Sequence, residues 1–281
     1  MGRIHRRDDG TVVVHDHDAG DAGDVEVGEL EVGRDDVGVG RDRDVGDHRG
    51  YQETGTARVE VLEDILSEND RVADTNRQAF ADAGVRVVNL MSSPGAGKTT
   101  LLRQTLARLR GQTRIGILEG DIATSIDADR LDGLGAEVSL VNTSAGFGGE
   151  CHLDAVMVRS GLARLPLQDL DLLVIENVGN LVCPAEFGVG EHAKAMVYAV
   201  TEGEDKPLKY PVMFRAVDVV VINKVDLLPY LDFDLERLLY NLDAVNPGVR
   251  RLEVSARTGE GVDELRGWLA EVGARRVEAV R

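Results

Sequence analysis

The sequence predicts an α/β fold, a mostly parallel sheet with helices on both faces, preceded by a disordered acidic tail. Three observations predict it. Beyond residue 57, near-continuous apolar runs of strand length alternate with helical patterns, which is how strands buried on both faces read. The first such run leads directly into a Gly-rich loop and a helix, Ser92-Ser93-Pro94-Gly95-Ala96-Gly97-Lys98-Thr99-Thr100. The first 57 residues have another composition altogether.

That tail, 1–57, holds fifteen Asp plus Glu against seven Arg, and eleven Gly. Its large apolar residues are Met1, Ile4, Leu30 and Tyr51, too few to offset the entropy of ordering it. Four of the six histidines lie there: His5, His15, His17 and His48. The cluster His15-Asp16-His17-Asp18 reads as a solvated acidic stretch or as a loose divalent-metal site.

From 58 to 281 the elements follow in order. Val59, Leu62, Ile65, Leu66, Val72, Ala73 and Phe80 keep helical spacing over 58–82. Strands are expected at 85–91, 114–118, 137–141, 172–175, 196–200, 217–222 and 252–254. Helices are expected at 98–110, 152–164, 235–242 and 262–272.

The whole chain has 281 residues and a formal net charge of −18. The acidic balance argues against a nucleic-acid binder. No apolar run is long enough for a transmembrane helix, and the arginines near Met1 precede no signal-peptide core. Two cysteines cannot make a disulfide framework, which points to the cytoplasm.

The loop 92–100 is a Walker A arrangement, set between a strand and a helix as its mechanism requires. Gly95 and Gly97 let the backbone turn N–H groups toward phosphate, and the helix N-terminus adds positive potential. Gly95, Ala96, Gly97, Lys98, Thr99 and Thr100 are the candidate phosphate-binding residues. Lys98 is expected on the β- and γ-phosphates and Thr99 on Mg²⁺. Ser92 stands where the strict pattern has Gly, a cost if that position needs positive φ.

Asn223-Lys224-Val225-Asp226 follows the apolar run 217–222. A carboxylate at Asp226 can accept from the two adjacent N–H donors of guanine, which adenine lacks. Lys224 can lay its stem along the base. Ser255-Ala256 stands where a backbone N–H can read the guanine oxygen. The nucleotide is therefore GTP or GDP, and the fold a P-loop GTPase.

Glu176-Asn177-Val178-Gly179 resembles the D-x-x-G switch of GTPases, with Glu in place of Asp. Gly179 is a candidate donor to the γ-phosphate, and Glu176 a candidate for the Mg²⁺ shell or the attacking water. Asp121, in Glu119-Gly120-Asp121, is the other such candidate. Helix capping is the plain alternative for Glu119 and Asp121. Lys98, Thr99, Asp121 and Glu176 are thus the candidate catalytic groups. No Gln is evident to orient water, so intrinsic hydrolysis should be slow.

Both cysteines fall in loops after sheet strands. Cys151 has His152 beside it, and Cys183 lies seven residues beyond Glu176. Thiolate and imidazole suit Ni²⁺ or Zn²⁺. The alternatives are buried cysteines that act as small apolar residues, or a nucleophile–base pair. The apolar group Leu227, Leu228, Tyr230, Leu231 and Phe233 reads either as packing of the next helix or as a dimer contact.

Across 58–275 the loop 92–100, Glu119–Asp121, Cys151–Ala155, Ile175–Pro184, Val200–Pro211 and Asn223–Leu231 together resemble the hydrogenase nickel-incorporation GTPases, the HypB family. The resemblance implies GTP hydrolysis, with Cys151, His152 and Cys183 as metal ligands beside the switch. It also implies a nucleotide-dependent homodimer and a nickel-binding partner chaperone. The client would be the precursor of the hydrogenase large subunit. Family members begin with a Cys-x-x-Cys site or a His-rich tract; this chain has neither, so its tail should store nickel weakly at best. A storage protein with a regulatory GTPase core and a urease-accessory GTPase are the other candidates. The latter family carries Cys-Pro-His, whereas Ala185 follows Cys183-Pro184 here.

Overall fold

The computed structural model describes residues 3–6, 12–15, 49–121, 135–143 and 152–274. In the amino-terminal part, β1 (Arg3–Arg6) and β2 (Val12–His15) pair antiparallel, with Arg3 opposite His15. The His15–Asp18 cluster otherwise lies outside the described residues. Helix α1 spans Arg49–Ala83 and so begins before residue 58. The apolar period starts only at Val59.

Among the described residues the main sheet has seven strands, in the order β5-β4-β6-β3-β7-β8-β9. They are β3 (Arg86–Ser92), β4 (Ile115–Asp121), β5 (Ala136–Asn142), β6 (Leu172–Glu176), β7 (Ala193–Ala199), β8 (Val219–Asn223) and β9 (Arg250–Glu253). Every neighbouring pair is parallel. The long helices are α2 (Lys98–Leu109), α3 (Ala155–Leu162), α7 (Leu235–Val245) and α8 (Val262–Ala274). Three short helices were not expected: α4 (Cys183–Glu186), α5 (Lys206–Lys209) and α6 (Pro211–Arg215). Each has Pro in its first turn, where a missing N–H costs nothing.

Alternation along the strands fills both faces. Val88, Val174, Val197 and Val221 join Leu101, Leu106, Leu265 and Trp268 of α2 and α8. Their sequence neighbours point the other way. Val87, Leu173 and Ile175 meet Phe80 of α1 and Val158 of α3, while Met196, Tyr198 and Ile222 meet Phe214, Leu238 and Leu242. The sheet is a buried layer with its ligand-facing loops at the carboxyl ends of the strands. No helix among the described residues is long and apolar enough to cross a membrane.

Candidate functional site

The loop 92–99 leaves the end of β3, the middle strand of the sheet. Gly95 and Gly97 both have positive φ, 74° and 99°. Gly97 also admits no side chain, because a Cβ there would stand 2.6 Å from Asn223 Nδ2. Ser92 does not have positive φ, so the expected backbone cost is absent. It ends the strand, fully buried, and its hydroxyl does work that Gly could not. It donates to Ser93 O at 2.6 Å and accepts from Lys98 Nζ at 2.7 Å. Ala96 is buried, and Thr100 is exposed in the first turn of α2.

The Asn-Lys-x-Asp segment is tied to this loop. Asn223 ends β8; its Nδ2 donates to Ala96 O at 2.8 Å and its Oδ1 accepts from Ala256 N at 3.0 Å. Of the Ser255-Ala256 pair expected to offer a backbone N–H to the base, Ala256 N is thus bonded to Asn223, and Ser255 N donates to Glu260 O at 2.9 Å. Lys224 has φ 66°, the one positive value at a non-glycine among the described residues, and its Nζ donates to Gly95 O at 2.7 Å. Ser255 Oγ donates to Asp226 Oδ1 at 2.6 Å and accepts from Thr258 N at 3.0 Å, which fixes the carboxylate.

The switch segment leaves β6, the neighbour of β3. Glu176 ends the strand, buried, and its Oε1 accepts from Thr99 Oγ1 at 2.7 Å. Glu119 is its register partner on β4 and is buried too. Glu119 therefore lies inside a strand rather than in the loop after it. Asp121 ends β4, paired with Asn142; its side chain lies outside the described residues. Gly179 approaches the phosphate loop so closely that a Cβ would sit 2.9 Å from Pro94 Cα. A hydroxyl and two buried carboxylates are the hard oxygen donors that Mg²⁺ takes, so this corner fits the ion.

Cys151 lies outside the described residues. His152 is 9% exposed, and its ring centroid is 4.3 Å from that of Phe187. Phe187 closes the turn of α4 that Cys183 opens, its N–H reaching Cys183 O at 3.4 Å. His152 and the Cys183 turn are thus brought together. Among the described residues no three His, Cys, Asp or Glu converge as a metal site, so the expected set would need Cys151 to complete it.

Helix α1 secures both loops with side chains that the motifs did not reveal. Asn69 donates to Gly188 O at 2.8 Å and accepts from Ala155 N at 2.9 Å. Asn76 donates to Ala155 O at 2.9 Å and Val189 O at 3.2 Å. Their only sequence signal is polarity on an otherwise apolar helix face. Nearby, His192 Nδ1 accepts from Val87 N at 3.1 Å, and burial holds this imidazole down at about 4.

The segment 200–211 packs beside the phosphate loop. Glu202 accepts from Ser93 Oγ through one oxygen and from Ala199 N at 2.9 Å through the other. Lys206 Nζ lies 3.8 Å from Glu202 and over the Tyr210 ring. Tyr198 donates to Gly203 O at 2.6 Å; burial, with Glu202, Glu204 and Asp205 near it, keeps its phenol well above the usual range. The apolar group after Asp226 divides. Leu227, Leu228 and Phe233 pack against the core, while Tyr230 is 83% exposed.

A family model described as the CobW/HypB/UreG nucleotide-binding domain matches residues 86–253. The hydrogenase maturation factor HypB of Escherichia coli strain K12 is 48% identical, covering 79% of this chain and 78% of its own. The probable HypB of Methanocaldococcus jannaschii is 38% identical, covering 74% of this chain and 92% of its own. Among solved structures, HypB of Archaeoglobus fulgidus aligns with TM-score 0.67 at 37% identity, covering 74% of this chain and 99% of its own. HypB of Helicobacter pylori in complex with nickel aligns with TM-score 0.68 at 33% identity, covering 73% and 95%. With its phosphate loop, switch and base-reading segments meeting as described, and with relatives this similar over three quarters of its length, the chain belongs to the HypB family of hydrogenase maturation factors.

Proposed function

We propose that the protein is a GTP-hydrolysing metallochaperone that helps insert nickel into the precursor of a [NiFe]-hydrogenase large subunit. One observation carries this reading. The segment 176–187 meets the phosphate loop at one end, through Glu176 on Thr99, and the His152 ring at the other, through Phe187. Whatever orders the first end bears on the second.

GTP sits on the loop 95–100, with Lys98 exchanging Ser92 for phosphate oxygens and Asp226 accepting from guanine. Thr99, Glu176 and Asp121 would hold Mg²⁺, which would supply charge neutralisation at the phosphates. Gly179 donates its N–H to the γ-phosphate, and Glu176 or Asp121 orients the attacking water. Cys151, His152 and Cys183 hold the cargo, Ni²⁺ or Zn²⁺. The likeness to a HypB crystallised with nickel supports nickel as that cargo. Metal affinity and nucleotide state are then reciprocally coupled. The protein works in the cytoplasm as a GTP-dependent homodimer with a nickel-binding partner chaperone.

The test is the affinity of the full chain for Ni²⁺ and Zn²⁺, with GDP and with a non-hydrolysable GTP analogue, beside Cys183→Ala. Binding that needs Cys183 and changes with nucleotide is expected. Equal affinity in the two nucleotide states would refute the coupling. Binding unaffected by Cys183→Ala would move the metal elsewhere.

A further inference from the structure

We infer that Asn177 is a positioning residue that transmits the state of the nucleotide switch to the loop bearing His152. The inference rests on the coupling proposed above and names the group that conveys it.

Asn177 is 1% exposed and stands between Glu176, bonded to Thr99, and Gly179, packed on Pro94. Its backbone N–H donates to Leu90 O at 3.0 Å. Its Oδ1 accepts from Val178 N and from Leu153 N, each at 2.9 Å. Leu153 is the residue after His152. One carboxamide oxygen therefore joins the switch backbone to the metal-loop backbone.

Its Nδ2 reaches the second metal loop. It donates to Asn89 Oδ1 at 3.3 Å, and Asn89 Nδ2 donates to Glu191 Oε1 at 3.4 Å. Glu191 Oε2 accepts from Val189 N at 2.8 Å, in the loop after Cys183. Asn69 and Asn76 close the circuit by joining Gly188 and Val189 to Ala155. The result is a ring of buried amides and one carboxylate that holds the His152 and Cys183 loops in register. Asn177 is its member on the switch.

A buried N–H stripped of its acceptor is left unsatisfied away from water, which is strongly unfavourable. A displacement of Glu176–Gly179 thus takes Leu153 with it rather than abandoning the bond. Leu153 in turn repositions His152.

The experiment titrates Ni²⁺ alone into the full chain, with GDP and with a GTP analogue, and compares the two affinities. Wild type is expected to show a ratio in the ordinary range for such coupling, about 5–150-fold, and Asn177→Ala a ratio within about 2-fold of one. Asn177→Asp keeps the oxygen that Leu153 and Val178 share, and should keep most of the ratio. Asn69→Ala loosens both metal loops without touching the switch; it should weaken Ni²⁺ in both nucleotide states and leave the ratio standing. If Asn177→Ala does not fold, Asn177→Ser takes its place, being too short to reach Leu153. A wild-type ratio in the Asn177→Ala or Asn177→Ser protein overturns the relay alone. So does a ratio lost equally in Asn69→Ala, which would make the ring merely structural. A wild-type ratio of one removes the coupling itself, and the relay with it.

Discussion

The nucleotide end and the proposed metal end of this molecule are built by different means. At the nucleotide end the candidate residues bond one another. Lys98 meets Ser92, Thr99 meets Glu176, Asn223 spans Ala96 and Ala256, Lys224 meets Gly95, and Ser255 holds Asp226. At the metal end the loops are held from outside. Asn69, Asn76, Asn177 and Glu191, which come from α1, the switch and the residues just before β7, bond the backbone of those loops. A self-bonded site is preorganised and exchanges its own bonds for those of the ligand. A site clamped from outside moves when its clamps move. The second design suits a cargo that must be released.

The sharpest way to break this comparison is to alter one atom group at the nucleotide end. Asp226→Asn keeps an oxygen for Ser255 Oγ but replaces the acceptor facing guanine with an N–H₂ donor. Losing hydrogen bonds to a charged group costs about 1.5–3 kcal/mol, so GTP should weaken roughly 10–150-fold. Xanthosine triphosphate, which has a carbonyl in place of the exocyclic amine, should gain. Competition binding of the two nucleotides checks both. The urea midpoint should not shift, since Asn keeps the bond from Ser255. A fall in stability equal to the fall in affinity would show that Asp226 is structural.

The corresponding change at the metal end should behave in the opposite way. Asn76→Ala leaves the carbonyls of Ala155 and Val189 without their buried donor. That should cost about 1–3 kcal/mol in urea unfolding. Affinity for GDP should stay near wild type, while Ni²⁺ weakens in both nucleotide states. If GDP weakens as much as Ni²⁺, the two ends are one structural unit and the contrast fails.

The same contrast explains what the sequence could reveal. The nucleotide end was legible because its residues lie in contiguous motifs whose spacing is fixed by the chemistry of a triphosphate and a purine. The strands were legible because β6 and β8 are unbroken apolar runs. Glu176 is readable as the end of an apolar run, but its bond to Thr99 is not, because the sequence does not say that β6 lies beside β3. At the proposed metal end the sequence shows only the candidate ligands. Asn69 and Asn76 precede Gly188 and Val189 by more than a hundred residues, and no spacing rule connects them. Glu119 stays open between a cap and a site group in the sequence, because a carboxylate near a strand end resembles a helix cap until the strand is seen to continue to Asp121. The one-turn helices α4, α5 and α6 are too short to show a period, though each announces itself by a proline.

The smallest expected effect concerns the departure at Ser92. The serine lies in the strand without positive φ, so nothing in the backbone calls for glycine. Its hydroxyl accepts from Lys98 Nζ at 2.7 Å, a bond that must open before the ammonium can serve phosphate. A hydrogen bond of this kind is worth about 0.5–1.5 kcal/mol net, so Ser92→Gly should tighten GTP by at most about tenfold. The same change should lower stability by roughly 0.5–1 kcal/mol, because glycine in a strand loses more chain entropy on folding. Affinity and stability thus move in opposite directions at one residue, as expected where a site's own bonds stand in for the ligand. Weaker GTP binding in Ser92→Gly would mean that the serine positions Lys98 for phosphate rather than competing for it. The nucleotide end would then be clamped in its own way, and the difference between the two ends would narrow to which partners do the clamping.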